Sequence, residues 1–189
     1  MKLPATKEDR IKCRKYKKTK KDSHKYERED LKDLSSNIHS YNEVYKEQII
    51  AVWEKSVRTT HTFLAPADIA YYKKIIENMD FNAIRMFCLI DKNTVIGFIG
   101  LDKTKIEMLF LAPEHIGKGS GKKLIEFAFS NFSADKVDVN EQNANAVEFY
   151  KKFGFEIFER TEKDDFGKDY PILKMRRIND NKIGNKDEK

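Results

Sequence analysis

The feature that most constrains this chain is a loop with three closely spaced glycines, set between a predicted strand and a predicted helix. The loop reads Gly117-Lys118-Gly119-Ser120-Gly121. The β-rich run Lys105–Leu111 precedes it, and Lys122–Asn131 follows with apolar residues at helical spacing. Glycine lets a backbone curl closely around a ligand, and the first N–H groups of a helix attract anions. The segment therefore predicts either an anion site or a plain helix-entry turn.

The spacing excludes two familiar phosphate-binding loops. A Walker loop needs Ser or Thr after Gly-Lys, but Gly121-Lys122 is followed by Lys123. A dinucleotide fingerprint needs GxGxxG, whereas these glycines are spaced GxGxG. Lys118, Lys122 and Lys123 place positive charge nearby, which favours an anion without saying which one.

The order of the remaining elements indicates the fold class. A short strand near Asn37–Tyr41 precedes two helices, one with Val44, Ile49, Val52, Trp53 and Val57 on one face and one running from Ala67 to about Met79. Strands follow at Arg85–Asp91, Val95–Leu101 and Lys105–Leu111, and after the loop helix come a strand at Val137–Asn140, a helix at Asn143–Phe153 and strands at Phe155–Arg160 and Tyr170–Arg176. Hairpins and one βαβ crossover predict an α/β fold of the α+β type with a mixed, mostly antiparallel sheet, and not a doubly wound fold.

Charge divides the chain into three parts. Residues 1–33 hold 13 Lys+Arg against 7 Asp+Glu, whereas the other 156 residues hold 24 of each. We therefore expect a basic, disordered or partly helical extension at 1–34, a folded domain at 35–178 and a polar tail at 179–189. The extension is either a solvated segment or a basic arm for nucleic acid or an acidic partner.

Composition limits the cellular locations and the bound groups that we expect for this protein. No stretch reaches the roughly 20 apolar residues of a membrane span, and Lys2 onward lacks a signal-peptide core. Of the two cysteines, Cys88 occupies an apolar predicted strand, and no CxxC pair suggests a metal. We expect a cytoplasmic protein with no membrane partner and no metal.

A second segment, Val139–Phe155, narrows the interpretation of the glycine loop. The residues Val139–Phe155 follow the pattern V-N-x-x-N-x-x-A-x-x-F-Y-x-K-x-G-F, and the loop follows P-x-x-x-G-K-G-x-G-x-x-L. Periodicity alone places Ala146, Phe149, Tyr150 and Phe153 on one helix face, as in a core. Together the two patterns resemble the GNAT N-acetyltransferase family over about residues 36–177. Within it the chain is similar to small bacterial acetyltransferases, through Trp53-x-x-Ser56-Val57-x-x-Thr60-His61-x-Phe63-Leu64, Val139–Asn143 and Asp164-Asp165-x-Gly167-x-x-Tyr170-Pro171-x-Leu173.

The resemblance implies a GNAT fold with helices on both faces of the sheet, and acetyl-CoA as co-substrate. Backbone amides of Leu111 and the glycine loop would hold the pyrophosphate, Leu109–Leu111 would pair with the pantetheine arm, and Asn143 would touch it from the side. The implied cofactor-binding residues are Leu109, Phe110, Leu111, Ile116, Gly117, Lys118, Gly119, Ser120, Gly121, Lys122, Asn140, Asn143, Ala146 and Tyr150. The family pattern has Gln or Arg where this chain has Ile116, so we expect a weaker site that His115 or Lys118 compensates.

The resemblance also implies how acetyl would move. Tyr150 would protonate the departing thiolate, and the base is either Glu107, through a water, or His61. Asp164, Asp165, Tyr170 and Trp53 either wall the acceptor site or belong to an ordinary turn and core. We expect direct transfer in a ternary complex to a primary amine, on a small molecule or a protein lysine, by a monomer or homodimer that does not use nucleic acid. The alternative is an acyl-CoA-binding sensor or nucleic-acid-associated module that uses the basic arm.

Overall fold

Seven strands and four α-helices occur within residues 37–178, which the computed structural model describes. Their bounds are β1 Ile38–Ser40, α1 Lys46–Thr60, α2 Pro66–Glu77, β2 Arg85–Asp91, β3 Thr94–Asp102, β4 Lys105–Leu111, α3 Ser120–Phe132, β5 Lys136–Asn140, α4 Ala144–Lys152, β6 Phe155–Thr161 and β7 Ile172–Arg177. The element order is the one predicted. The expected extension at 1–34 and tail at 179–189 lie outside the described residues, which form two compact units, 37–134 and 135–178.

The sheet of the first unit is antiparallel throughout, in the order β1-β2-β3-β4. A two-residue turn joins β2 to β3, and both of its residues, Lys92 and Asn93, have positive φ values of 45° and 66°. Such a turn matches the twist of the flanking strands. Thr94, expected in the turn, instead opens β3 opposite Asp91.

A β-bulge interrupts the pairing of β3 with β4. Gly100 lies opposite Met108, but the next residue, Leu101, lies opposite Ile106. Glu107 is therefore the extra residue of the bulge. Bulges bend a strand and redirect a side chain, and they are common beside active sites.

The hydrophobic core of the first unit includes the inner faces of α1 and α2 and residues of β2 and β3. Ile49, Val52, Trp53 and Val57 are buried as the helical spacing predicts. The prediction for Val44 is wrong, since it is 73% exposed in a short 3-10 turn before α1. The side chain of Asn42 accepts the Val44 N–H at 3.1 Å and starts this turn, which breaks the helical phase.

The second unit packs α4 against an antiparallel sheet of order β5-β7-β6. The α4 helix is shorter than predicted, because Asn143 caps it and does not belong to it. Gly154, at a φ of +82°, follows the last turn and lets the chain reverse into β6. Val147 and Tyr150 are the residues that α4 buries.

Candidate active site

The glycine loop adopts a conformation that favours glycine at two positions. Gly117 and Gly119 have φ values of +76° and +85°. A Cβ atom added at either would meet no atom within 4 Å, so the backbone conformation, and not crowding, calls for glycine. The space that a ligand would need beside this backbone is open.

Helix α3 begins within this loop, at Ser120, and has no side chain to cap it. Its N-cap residue is Gly119, while the first helical residues, Ser120 and Gly121, are buried. The first N–H groups of a helix have no partner within the helix, and they carry the positive end of its dipole. The predicted anion site therefore lies at a helix start whose main-chain N–H groups have no side-chain cap.

Side chains around the loop add charge but little fixed geometry. Lys118, Lys122 and Lys123 are exposed, and Lys122 lies 3.7 Å from Glu126 in an exposed pair. Such pairs contribute little energy and leave the lysine free to move. Ile116 is 43% exposed beside the loop, where its apolar side chain offers a phosphate no hydrogen bond.

His61 lies at the C-terminal end of α1 and contacts β4. Its ring centroid is 5.4 Å from that of Phe63 and 6.4 Å from that of Phe110. Its Nδ1 atom lies 2.8 Å from the hydroxyl of Thr60. Burial lowers the pKa of His61 from 6.5 to about 4, so the imidazole is neutral at physiological pH. The structure thus places this candidate against the strand expected to bind pantetheine.

The other candidate base, Glu107, projects from the β4 bulge and is ion-paired. Its side chain is 11% exposed, and its Oε2 atom lies 3.2 Å from Nζ of Lys105. The ion pair with Lys105 holds the Glu107 carboxylate beside β4. This carboxylate can attract a cationic amine and can accept a proton through water.

Tyr150 is buried, with 6% of its surface exposed. Its ring makes edge contacts with Phe149 and Phe155, at centroid distances of 5.2 and 5.5 Å. Burial raises the pKa of its phenol well above the ordinary value, so Tyr150 keeps its proton. Tyr150 is therefore a core residue, as its helical spacing predicts, and its phenol also retains a hydrogen that it could donate.

The other predicted residues of the second unit form one hydrogen-bonded turn between β5 and α4. The Asn143 N–H donates to the Asn140 carbonyl at 3.0 Å, and Oδ1 of Asn143 accepts the Ala146 N–H at 3.2 Å. Oδ1 of Asn140 accepts the Gln142 N–H at 2.9 Å. This capping uses the acceptor end of Asn143 and leaves its donor end, Nδ2, for another partner.

Two of the candidate acceptor-wall residues have other tasks. Trp53 is 5% exposed and packs in the hydrophobic core of the first unit. Oδ1 of Asp164 accepts the N–H groups of Phe166 and Lys168 at 2.9 and 2.8 Å, which folds the loop between β6 and β7. Sequence reasoning missed Thr60 and Lys105 as partners of His61 and Glu107. The adjacency of Thr60 and His61 in the sequence, at a predicted helix end, is the signal that could have indicated their contact.

Residues 37–178 bring together no group of three or more His, Cys, Asp or Glu side chains suited to a metal ion. Within the same residues, no helix has both the length and the apolar character to cross a membrane.

These features belong to a known class of protein. Residues 25–176 match the acetyltransferase (GNAT) domain, and the chain is a member of the GNAT acetyltransferase family. The predicted fold and the predicted class of enzyme, an N-acetyltransferase, are thereby confirmed.

Similar proteins confirm the narrower resemblance to small bacterial acetyltransferases. The peptidyl-lysine N-acetyltransferase YjaB of Salmonella typhimurium is 37% identical over 139 residues, which cover 74% of this chain and 96% of that protein. The solution structure of apo YjaB from Escherichia coli superposes with a TM-score of 0.68 at 32% identity, covering 75% of this chain and 96% of that one. An N-acetyltransferase from Thermoplasma acidophilum, solved with coenzyme A, shares the fold at a TM-score of 0.59 and 21% identity, over 74% of this chain and 96% of that one.

Proposed function

We propose that this chain transfers the acetyl group of acetyl-CoA to the side-chain amine of a protein lysine. The observation that carries the proposal is the open, uncapped glycine loop at the start of α3, in a member of the GNAT family. The acceptor class is supported by the YjaB relatives, which are peptidyl-lysine N-acetyltransferases at 37% and 35% identity.

Acetyl-CoA would bind mainly through main-chain groups. The N–H groups of Gly117 to Lys122 and of Leu111 hold the pyrophosphate, and the β4 backbone at Leu109–Leu111 pairs with the pantetheine arm. The donor end of Asn143 supplies a further hydrogen bond. Because main-chain donors supply the phosphate contacts, Ile116 weakens this site without abolishing it.

The reaction then proceeds in one ternary complex. The lysine nitrogen attacks the thioester carbonyl carbon, the C–N bond forms, and the C–S bond breaks as the thiolate leaves. Tyr150 donates its hydroxyl hydrogen to the sulfur as negative charge develops there. An acyl-enzyme route through Cys88 is disfavoured, because burial raises the pKa of that thiol to about 12.

The proton of the amine needs an acceptor whose strength fits. A lysine ammonium has a pKa near 10.4, whereas burial lowers the pKa of His61 to about 4, so the ammonium proton is not passed to this imidazole and leaves to solvent before attack. We assign removal of the second N–H proton to Glu107, through a water, once the C–N bond has formed and the nitrogen has become acidic. Its charge also draws the cationic acceptor toward β4.

A screen of acceptors by thiol release tests the proposal. Lysine-containing peptides, polyamines, aminoglycosides and amino acids are each offered with acetyl-CoA, and the acetylated atom is located by mass spectrometry. We expect one acetyl group on the Nζ atom of a peptide lysine per CoA released. Acetyl-CoA binding without transfer to any amine would overturn the proposal in favour of the acyl-CoA sensor.

A further inference from the structure

The hydroxyl of Thr60 lies within hydrogen-bond distance of two groups that can each accept a hydrogen bond. Its Oγ1 atom lies 2.8 Å from the Ser56 carbonyl oxygen, one turn earlier in α1, and 2.8 Å from Nδ1 of His61. Both distances are those of good hydrogen bonds. A threonine hydroxyl, however, has only one hydrogen to donate.

The hydrogens available on Thr60 and His61 fix the direction of both hydrogen bonds. The Ser56 carbonyl has no hydrogen, so the contact at 2.8 Å is a hydrogen bond only if Thr60 donates to it. The Thr60 oxygen must then accept from His61, which requires the imidazole hydrogen on Nδ1. If Thr60 donated to Nδ1 instead, the two oxygens would face each other at 2.8 Å with no hydrogen between them. The Nδ1–H tautomer alone satisfies both contacts.

The other ring nitrogen is left as a hydrogen-bond acceptor. Burial keeps the imidazole neutral, because it lowers the pKa of His61 to about 4. With Nδ1 protonated, Nε2 has an available lone pair. The ring lies near those of Phe63 and Phe110, at centroid distances of 5.4 and 6.4 Å, and Phe110 lies in β4, which also carries the bulge residue Glu107.

We infer that Thr60 is a positioning residue that fixes His61 in the Nδ1–H tautomer, so that Nε2 accepts a hydrogen bond from the attacking amine. This role rests on the proposed function. The amine keeps its lone pair for the thioester carbon, while one of its N–H bonds is oriented by Nε2. No proton passes to His61, which fits its weak basicity.

Nuclear magnetic resonance of protein labelled with ¹⁵N-histidine reads the tautomer directly. Two-bond ¹H–¹⁵N spectra distinguish a protonated ring nitrogen from one with a free lone pair, and the His61 signals are identified by their loss in His61→Gln. We expect protonated Nδ1 and unprotonated Nε2 in the wild type and in Thr60→Ser. Thr60→Val, which has the same shape without the hydroxyl, should lose this preference. An Nε2–H tautomer in the wild type, or the same tautomer in Thr60→Val, would overturn the inference.

Kinetics with a peptide-lysine acceptor tests the contact to the amine. Thr60→Val should raise the KM for the peptide or lower kcat by about two- to tenfold, the worth of one hydrogen bond. Thr60→Ser should restore the wild-type values, and the affinity for acetyl-CoA should not change. An altered tautomer with unchanged kinetics would refute the amine contact. Because the tautomer is read in the free protein, a failure of the proposed function would be seen separately, as absence of transfer by the wild type.

Discussion

Two helices of this protein begin in opposite ways. Helix α3 starts after Gly119, which has no side chain to cap it, whereas α4 starts after Asn143, whose Oδ1 accepts the Ala146 N–H. The first helix end is open to an external anion, and the second is satisfied internally. The N–H groups at the start of α3 are therefore available to an external anion, whereas one N–H at the start of α4 is already bonded to Asn143.

The difference also separates two ways of building a binding site. We propose that the α3 loop acts through its backbone, which has positive φ values at Gly117 and Gly119. We propose that the α4 segment acts through side chains, namely the donor end of Asn143 and the hydroxyl of Tyr150. Substitutions should therefore affect cofactor binding in the loop and the chemical step in the helix.

The largest effect is expected at Tyr150. Replacing it with Phe keeps the edge contacts to Phe149 and Phe155 but removes the hydroxyl, so turnover should fall about 100-fold, as loss of a general acid does. Acetyl-CoA affinity, measured by calorimetry, should stay within twofold of the wild type. Tyr45→Phe, at a half-buried tyrosine outside the proposed chemistry, is the control and should keep its turnover. Unchanged turnover in Tyr150→Phe would remove this residue from the mechanism.

The next effect belongs to the loop. Gly119→Ala puts a Cβ at a φ of +85°, which costs about 1–2 kcal/mol, and acetyl-CoA affinity should fall about tenfold as the loop loses its shape. Gly154→Ala is a matched control, since its φ is +82° and its new Cβ would meet no atom closer than 4.0 Å. Both variants should lose similar thermal stability, but only Gly119→Ala should bind acetyl-CoA more weakly. Equal affinities in the two variants would contradict the role of the loop.

Substitutions at Asn143 should have a smaller effect, and they distinguish the role of its acceptor atom, Oδ1, from that of its donor atom, Nδ2. Asn143→Ala removes the cap of α4 and should lower the free energy of unfolding by about 1 kcal/mol in urea titrations. Asn143→Asp keeps an oxygen to accept the Ala146 N–H, so its stability should match the wild type. It lacks the Nδ2 donor, and we expect its acetyl-CoA affinity to fall severalfold. Full affinity in Asn143→Asp would show that Asn143 serves the fold alone.

The smallest effect is a gain. Ile116→Arg places a cation at an exposed position beside the loop, and it should tighten acetyl-CoA binding about threefold at low salt. The gain should shrink as salt is added, because exposed charges are screened. Ile116→Gln, which is uncharged, should show less salt dependence. Weaker binding by the Arg variant would mean that Ile116 itself contacts the cofactor.

The parts of this molecule that follow from local chemistry could be predicted from the sequence. Alternating apolar residues located the strands, and the three glycines located the loop, because both signals lie in neighbouring residues. The prediction placed Val44 on the helix face, but Oδ1 of Asn42 accepts the Val44 N–H and starts a separate turn there. The bulge at Glu107 depends on the register between β3 and β4, which a single sequence does not encode locally.

The candidate site was predictable only in part, for a similar reason. The loop could be read from residue type, but the meaning of Tyr150 came from the family resemblance, since its spacing is that of a core residue. The burial that makes His61 neutral arises from three-dimensional packing. Side-chain chemistry of this kind needs the structure.

We propose that the uncapped start of α3 allows this enzyme to bind acetyl-CoA. Titration of acetyl-CoA into the folded wild-type protein in a calorimeter tests this binding most directly. We predict saturable binding of one acetyl-CoA per chain, displaced by CoA, because CoA carries the same pyrophosphate. No binding by a protein shown to be folded would contradict the account.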